Sequence, residues 1–231
     1  MNESLWRYLK TERCVEFFQT GKLYFASARQ FQDPFEGAVA VIPHGFPVDP
    51  RYADPEPFER AFEELRRLTK VSCWHRAEHE SDAMWQLYAG TWKGVAIKTT
   101  PERIQASVRP FRIKPEYGQE DFWAGNVTYV DLLKERLRVS MMERFWYKHM
   151  AFSWEREFRL AVSLRMAEEF GVEVPEEGVF VEFDLDALVE SIYLGPSLPK
   201  DDAEAIRNAI KQRGLDQRIQ ISSLLGTPRY V

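Results

Sequence analysis

An α+β fold is predicted by three features of this 231-residue sequence. About seven to nine short stretches carry strand alternation, amphipathic helical segments fall between them, and no internal repeat or low-complexity tract imposes a solenoid or barrel order. Hydrophobic residues make up 45% of the chain and aromatics 14%, enough to fill one core and leave rings over for a pocket. The expectation is a single globular domain over residues 1–231. Its short mixed or antiparallel strands would split into two sheets around a cleft, flanked by helices.

The elements follow in order. Leu5 to Leu9 (LWRYL) reads as a first strand, with Arg7 on the face opposite Trp6 and Tyr8. A helix through Val15, Phe17 and Phe18 ends at Gly21, and Lys22 to Ala26 forms the next strand. In SARQFQDPFEG (residues 27–37), Asp33-Pro34 breaks regular structure and Phe31 and Phe35 pin the turn. Five prolines make 43–57 an inserted loop or lid, after which Phe58, Phe62 and Leu65 mark a helix to Leu68. Val71–Trp74 is a strand, Ser81 caps a helix bearing Met84, Trp85 and Tyr88, and Val95–Lys98 is a strand. Thr100-Pro101-Glu102 combines a capping hydroxyl, a first-position proline and a first-turn acid.

Residues 107–126 follow no single period. Val127–Val130 alternates, and the stripe Leu133, Leu137, Met141, Phe145 predicts a helix over 131–150. A strand over 154–163 comes next, then strands at Val179–Phe183 and Ser191–Leu194. A helix from Pro199 to Arg213 stops at Gly214, and Arg218–Ser222 is the last strand.

Strand 154–163 carries the chemistry. Trp154, Phe158, Leu160 and Val162 share one face; Glu155, Glu157 and Arg159 share the other. Residues two apart on a strand stand roughly 6.5–7 Å apart, so two carboxylates and a guanidinium form a row. Such a row either lines a cleft or is the solvated face of a sheet.

Chain-wide properties narrow the classes. A net charge of −5 argues against a general nucleic-acid coat. Two cysteines, Cys14 and Cys73, are too few for a disulfide framework, so a reducing, cytoplasmic compartment is expected. The start MNESLWRYLK lacks the basic-then-apolar order of a secretory leader, and no run of about 18 apolar residues would place the chain in a membrane.

LWRY, QDPFEG, MWQLYAGTWKGVAI (84–97) and WEREFRL (154–160), in this order, resemble a bacterial family catalogued as a domain of unknown function, number 2971. The resemblance covers about residues 5–195. It departs at Gln32, where the family has Asn. It brings no chemistry with it.

The layout is also similar to that of ADP-ribosyltransferases, which place a basic residue on an early strand, an aromatic or hydroxyl group on a middle one and Glu-x-Glu on a late one. That similarity implies NAD as the substrate. Glu157 would hold the ribose and stabilise positive charge on it, and Glu155 would take a proton from the acceptor. Arg7 would contact ribose or diphosphate, and Trp85 or Tyr88 would stack on a base.

Other classes stay open. Cys73, His75 and His79 approach a metal-ligand spacing if their segment is helical. However, no fourth ligand stands near them and no metal is expected. There is no Gly-x-Ser-x-Gly elbow and no glycine-rich phosphate loop. The alternative is a non-catalytic module for nucleic acid or protein, carried by Phe111, Tyr117, Phe122 and Trp123 interleaved with Arg109, Arg112 and Lys114 and offset by Glu116, Glu120 and Asp121.

Overall fold

The computed structural model describes residues 3–41 and 56–225. The chain begins β1 (Leu5–Leu9), α1 (Thr11–Thr20), β2 (Lys22–Ser27), α2 (Glu56–Leu68), β3 (Thr69–Arg76), α3 (Asp82–Tyr88) and β4 (Val95–Thr99). It continues with α4 (Pro101–Ser107), β5 (Phe122–Asn126), β6 (Thr128–Val130), β7 (Tyr147–His149), β8 (Glu157–Ser163) and α5 (Arg165–Glu169). Last come β9 (Gly178–Glu182), α6 (Leu185–Leu188), β10 (Ser191–Leu194), α7 (Lys200–Gln212) and β11 (Ile219–Ile221). Helices and a mixed sheet beside a two-stranded sheet make this an α+β protein. Most of the predicted proline-rich loop lies outside the described residues.

The chain divides into two compact units. One comprises Met1–Leu23, Trp74–Arg109 and Val181–Val231. There β1 pairs antiparallel with β4 (Arg7 opposite Ile97), β4 with β10, and β10 runs parallel to β11. A parallel neighbour needs a long crossover, and α7 supplies it while burying Ile206, Ala209 and Ile210. The predicted caps act as their chemistry requires. Gly21 takes the left-handed φ of 73° that ends α1. Ser81 accepts from Met84 N and Thr100 from Arg103 N. Trp6, Tyr8, Met84, Trp85, Ala89 and Ala96 form an aromatic-rich core cluster.

The other unit comprises Tyr24–Cys73 and Pro110–Phe180. β2 pairs antiparallel with β3 (Ala26 opposite Val71), and β8 pairs with both β3 and β5. β6 and β7 form the small parallel sheet, Tyr129 opposite Lys148. Ala28, Val71, Phe145 and Ala161 cluster here, with Phe31, Leu65, Cys73, Met142 and Trp146 packed around them.

Three expectations are corrected. The described residues hold eleven strands; β5 lay in the unassigned stretch and β7 inside the predicted helix 131–150. That helix does not form. Leu137 N donates to Val39 O and Val41 N to Leu132 O, so the middle of the segment pairs with residues 39–41, and its own bonds form only short turns such as Glu135 N to Asp131 O and Phe145 N to Met142 O. Leu133 and Met141 are consequently exposed, and only Phe145 of the stripe is fully buried. Finally, β8 starts at Glu157. Residues Met150–Glu155 form a 3-10 turn and Arg156 is left-handed at φ 44°, so Trp154 and Glu155 are not on the strand and Trp154 is 44% exposed.

Candidate functional site

The row of charges does not face water. Glu155, Glu157 and Arg159 are buried, at 6%, 5% and 0% exposure, which removes the solvated-face alternative. β8 is buried along nearly its whole length, so both faces of the strand are covered, a setting in which alternation no longer separates core from solvent.

The site is assembled from four segments of the second unit. β8 supplies Glu157 and Arg159. The turn after β2 supplies Glu36, whose two oxygens accept from Arg159 Nη1 and Nη2 at 2.6 and 3.0 Å. This is a bidentate pair with both side chains wholly buried. Arg159 Nε donates to Glu157 Oε2 at 2.6 Å, and Nη1 also reaches the Phe145 carbonyl at 2.6 Å. β7 supplies Lys148, whose Nζ donates to Glu157 Oε1 at 2.7 Å and to Glu155 Oε2. The 3-10 turn supplies Glu155. The result is a chain of alternating sign, Glu36, Arg159, Glu157, Lys148, Glu155, in which every cation lies between two carboxylates.

Local structure explains how residues 148, 155 and 157 meet. His149 caps the 3-10 turn, its side chain accepting from Ala151 N, and Arg156 reverses the chain into β8. Lys148 is held opposite Tyr129, and the Tyr129 hydroxyl accepts from Glu157 N at 2.8 Å. Aromatic rings close over the cations: Phe31 lies 5.6 Å from the Arg159 guanidinium and Phe152 4.7 Å from Lys148 Nζ. Phe35 stacks on His149 at 4.8 Å. Asp33 Oδ1 accepts from Phe35 N at 2.8 Å, which is the turn role its sequence position predicts.

Electrostatics drive the carboxyl groups apart. Burial pushes Glu155 up to about 7, helped by its hydrogen bond to Glu157, and Lys148 offsets only part of this. Glu157 experiences the same burial, but Arg159, the hydrogen bond from Glu155 and Lys148 together outweigh it and hold its carboxyl well below the usual range. Burial also raises Glu36, against the opposing pull of Arg159. Desolvation pulls Lys148 and Arg159 down, and their carboxylate partners overcome it, so both stay protonated. Three carboxyls against two fixed cations leave one negative charge in excess inside the protein. A proton on Glu155 removes it. One carboxyl fixed as an ion and its neighbour poised near neutrality is the arrangement that separates a proton carrier from an electrostatic stabiliser.

The other predicted site residues belong to the first unit. Arg7 is half-buried on β1. Trp85 has no exposed surface: its ring packs edge-on to Tyr8 at 5.1 Å and its Nε1 donates to Glu80 at 3.0 Å. It therefore offers no face to a base. Tyr88 is 46% exposed. Cys73 and His75 lie on β3, so His75 and His79 share no helical turn, and no group of three metal-ligating side chains occurs among the described residues. No helix among them is long and apolar enough to cross a membrane.

Glu36 and Lys148 were missed as site residues. The signal for them was physical: Arg159 sits between Phe158 and Leu160, and a cation buried there requires carboxylates from elsewhere.

Gly37, next to Glu36, fixes the turn. Its φ is 74°, and a Cβ there would lie 2.7 Å from Phe145 Cε1. Gly37→Ala is expected to destabilise the protein by about 2–4 kcal/mol, combining left-handed strain with overpacking. Denaturant unfolding checks this; a change under about 0.5 kcal/mol would mean that the turn relaxes freely.

The chain matches no family model, no curated protein and no solved structure.

Proposed function

We propose that the second unit carries out NAD-dependent glycosyl chemistry, cleavage of NAD or transfer of its ADP-ribosyl group. The observation that supports this most is the pair of buried carboxyls, Glu155 and Glu157, held together on the Lys148 ammonium. In the reaction, the bond from ribose C1′ to the nicotinamide nitrogen breaks and nicotinamide leaves with the bonding electrons. The sugar passes through an oxocarbenium-like state, and a C–O bond forms to water or an acceptor hydroxyl. Glu155, once ionised, takes the proton of that hydroxyl. Glu157 remains an anion throughout and stabilises the positive charge electrostatically. Both Glu157 oxygens are occupied by Lys148 and Arg159, so its role is a fixed field and not a grip on the ribose. Proton handling stays with Glu155.

The test is nicotinamide release from millimolar NAD by the full chain, with Glu155→Gln in parallel. Release by wild type that the variant lacks supports the reading. No release from wild type overturns it, leaving the buried charges as a fold-specifying chain and favouring the non-catalytic binding module.

A further inference from the structure

We propose that Trp154 and Arg156, the residues on either side of Glu155, form a nucleotide-recognition platform, the indole stacking on the base and the guanidinium pairing with the phosphate. The proposal rests on the nucleotide reading above. Three observations carry it.

First, Arg156 is exposed and has no ion pair and no hydrogen-bonded side-chain partner among the described residues, whereas Lys148 and Arg159 beside it are consumed within the buried chain. It is therefore the cation next to Glu155 that remains available to an anion. Guanidinium is also the group best shaped for phosphate.

Second, Arg156 holds a left-handed backbone, φ 44° and ψ 54°. Glycine and asparagine adopt that region readily and arginine does not. The local fold would be satisfied by glycine, so the guanidinium is a side chain that the turn itself does not require.

Third, Trp154 is 44% exposed although it directly precedes a buried residue. The neighbouring Phe152 already covers Lys148, so the indole is not required for that purpose. The Cα atoms of Trp154 and Arg156 are two virtual bonds apart, no more than about 7.6 Å, a spacing one nucleotide can bridge.

ADP titrated calorimetrically into the full chain tests this without any turnover. Wild type should bind saturably. Trp154→Ala should weaken ADP about tenfold through lost stacking, and Arg156→Gly about tenfold through the lost phosphate contact. Arg156→Gly should leave adenosine binding unchanged and should not lower the thermal midpoint, since glycine accepts φ 44°. Variants that bind ADP as wild type does, or a wild type that binds none at millimolar concentration, overturn the platform. An Arg156→Gly that loses ADP only because it unfolds earlier also overturns it. ADP binding that follows this pattern without nicotinamide release keeps the platform and removes the NAD reading; release with unaltered ADP binding in both variants does the reverse.

Discussion

Arg159→Met is expected to destabilise the protein by about 3–5 kcal/mol at neutral pH, because it leaves Glu36 and Glu157 buried without their shared cation. The Phe145 carbonyl loses its donor as well. For a chain of this size the loss corresponds to a fall in thermal midpoint of roughly 6–20 °C. Methionine keeps the apolar stem and lacks the guanidinium, so the loss combines orphaned charge with a small cavity. Two controls separate these causes. Combining Arg159→Met with Glu36→Gln and Glu157→Gln removes the orphaned charges and should recover most of the stability. Lowering the pH through the carboxylate range should also narrow the gap between Arg159→Met and wild type, since protonated carboxyls no longer need a cation. A single variant within about 1 kcal/mol of wild type by denaturant unfolding would show that Arg159 is no keystone.

That energetic weight explains which parts of the molecule were legible in the sequence. Local chemistry was readable wherever backbone rules decided the outcome: Gly21 ending α1, Ser81 and Thr100 capping their helices, Gly214 following α7. It failed where tertiary contacts overrode periodicity. Leu133, Leu137, Met141 and Phe145 have helical spacing, yet Leu132 and Leu137 pair with residues 39–41 and the rest of the segment closes only short turns. The importance of Glu155, Glu157 and Arg159 was visible, but their geometry was not. Alternation assumes one wet face, and β8 has none. The partners Glu36 and Lys148 lie 123 and 11 positions from Arg159, and only folding brings them together. Trp85 shows the opposite failure: an aromatic suited to stacking on a base is used to fill the core.

Glu155→Gln is expected to slow nicotinamide release by roughly 10²- to 10⁴-fold, the usual contribution of a positioned general base. Glutamine can accept from Lys148 and donate to Glu157, so it mimics the protonated carboxyl permanently. Wild-type turnover should rise with pH through about 7, where Glu155 ionises, and then level off. Stability moves in the opposite direction. The folded value of about 7 lies above the ordinary 4.5, so Glu155 contributes stability that is complete below about pH 4.5 and lost as pH rises through 7. Glu36 is shifted in the same direction, but it is present in both proteins and largely cancels in the comparison. Glu157 is shifted the other way, and its contribution is lost only under acid, below about 4.5. Relative to wild type, Glu155→Gln should therefore gain stability between pH 5 and pH 8 while losing turnover at the upper end. Unfolding curves at the two pH values and initial rates at pH 8 decide the matter. A Glu155 that served only the fold would give a variant less stable at pH 8, with activity falling in step with the folded fraction. A variant that folds at least as well and turns over a hundred times more slowly places the proton transfer on this carboxyl.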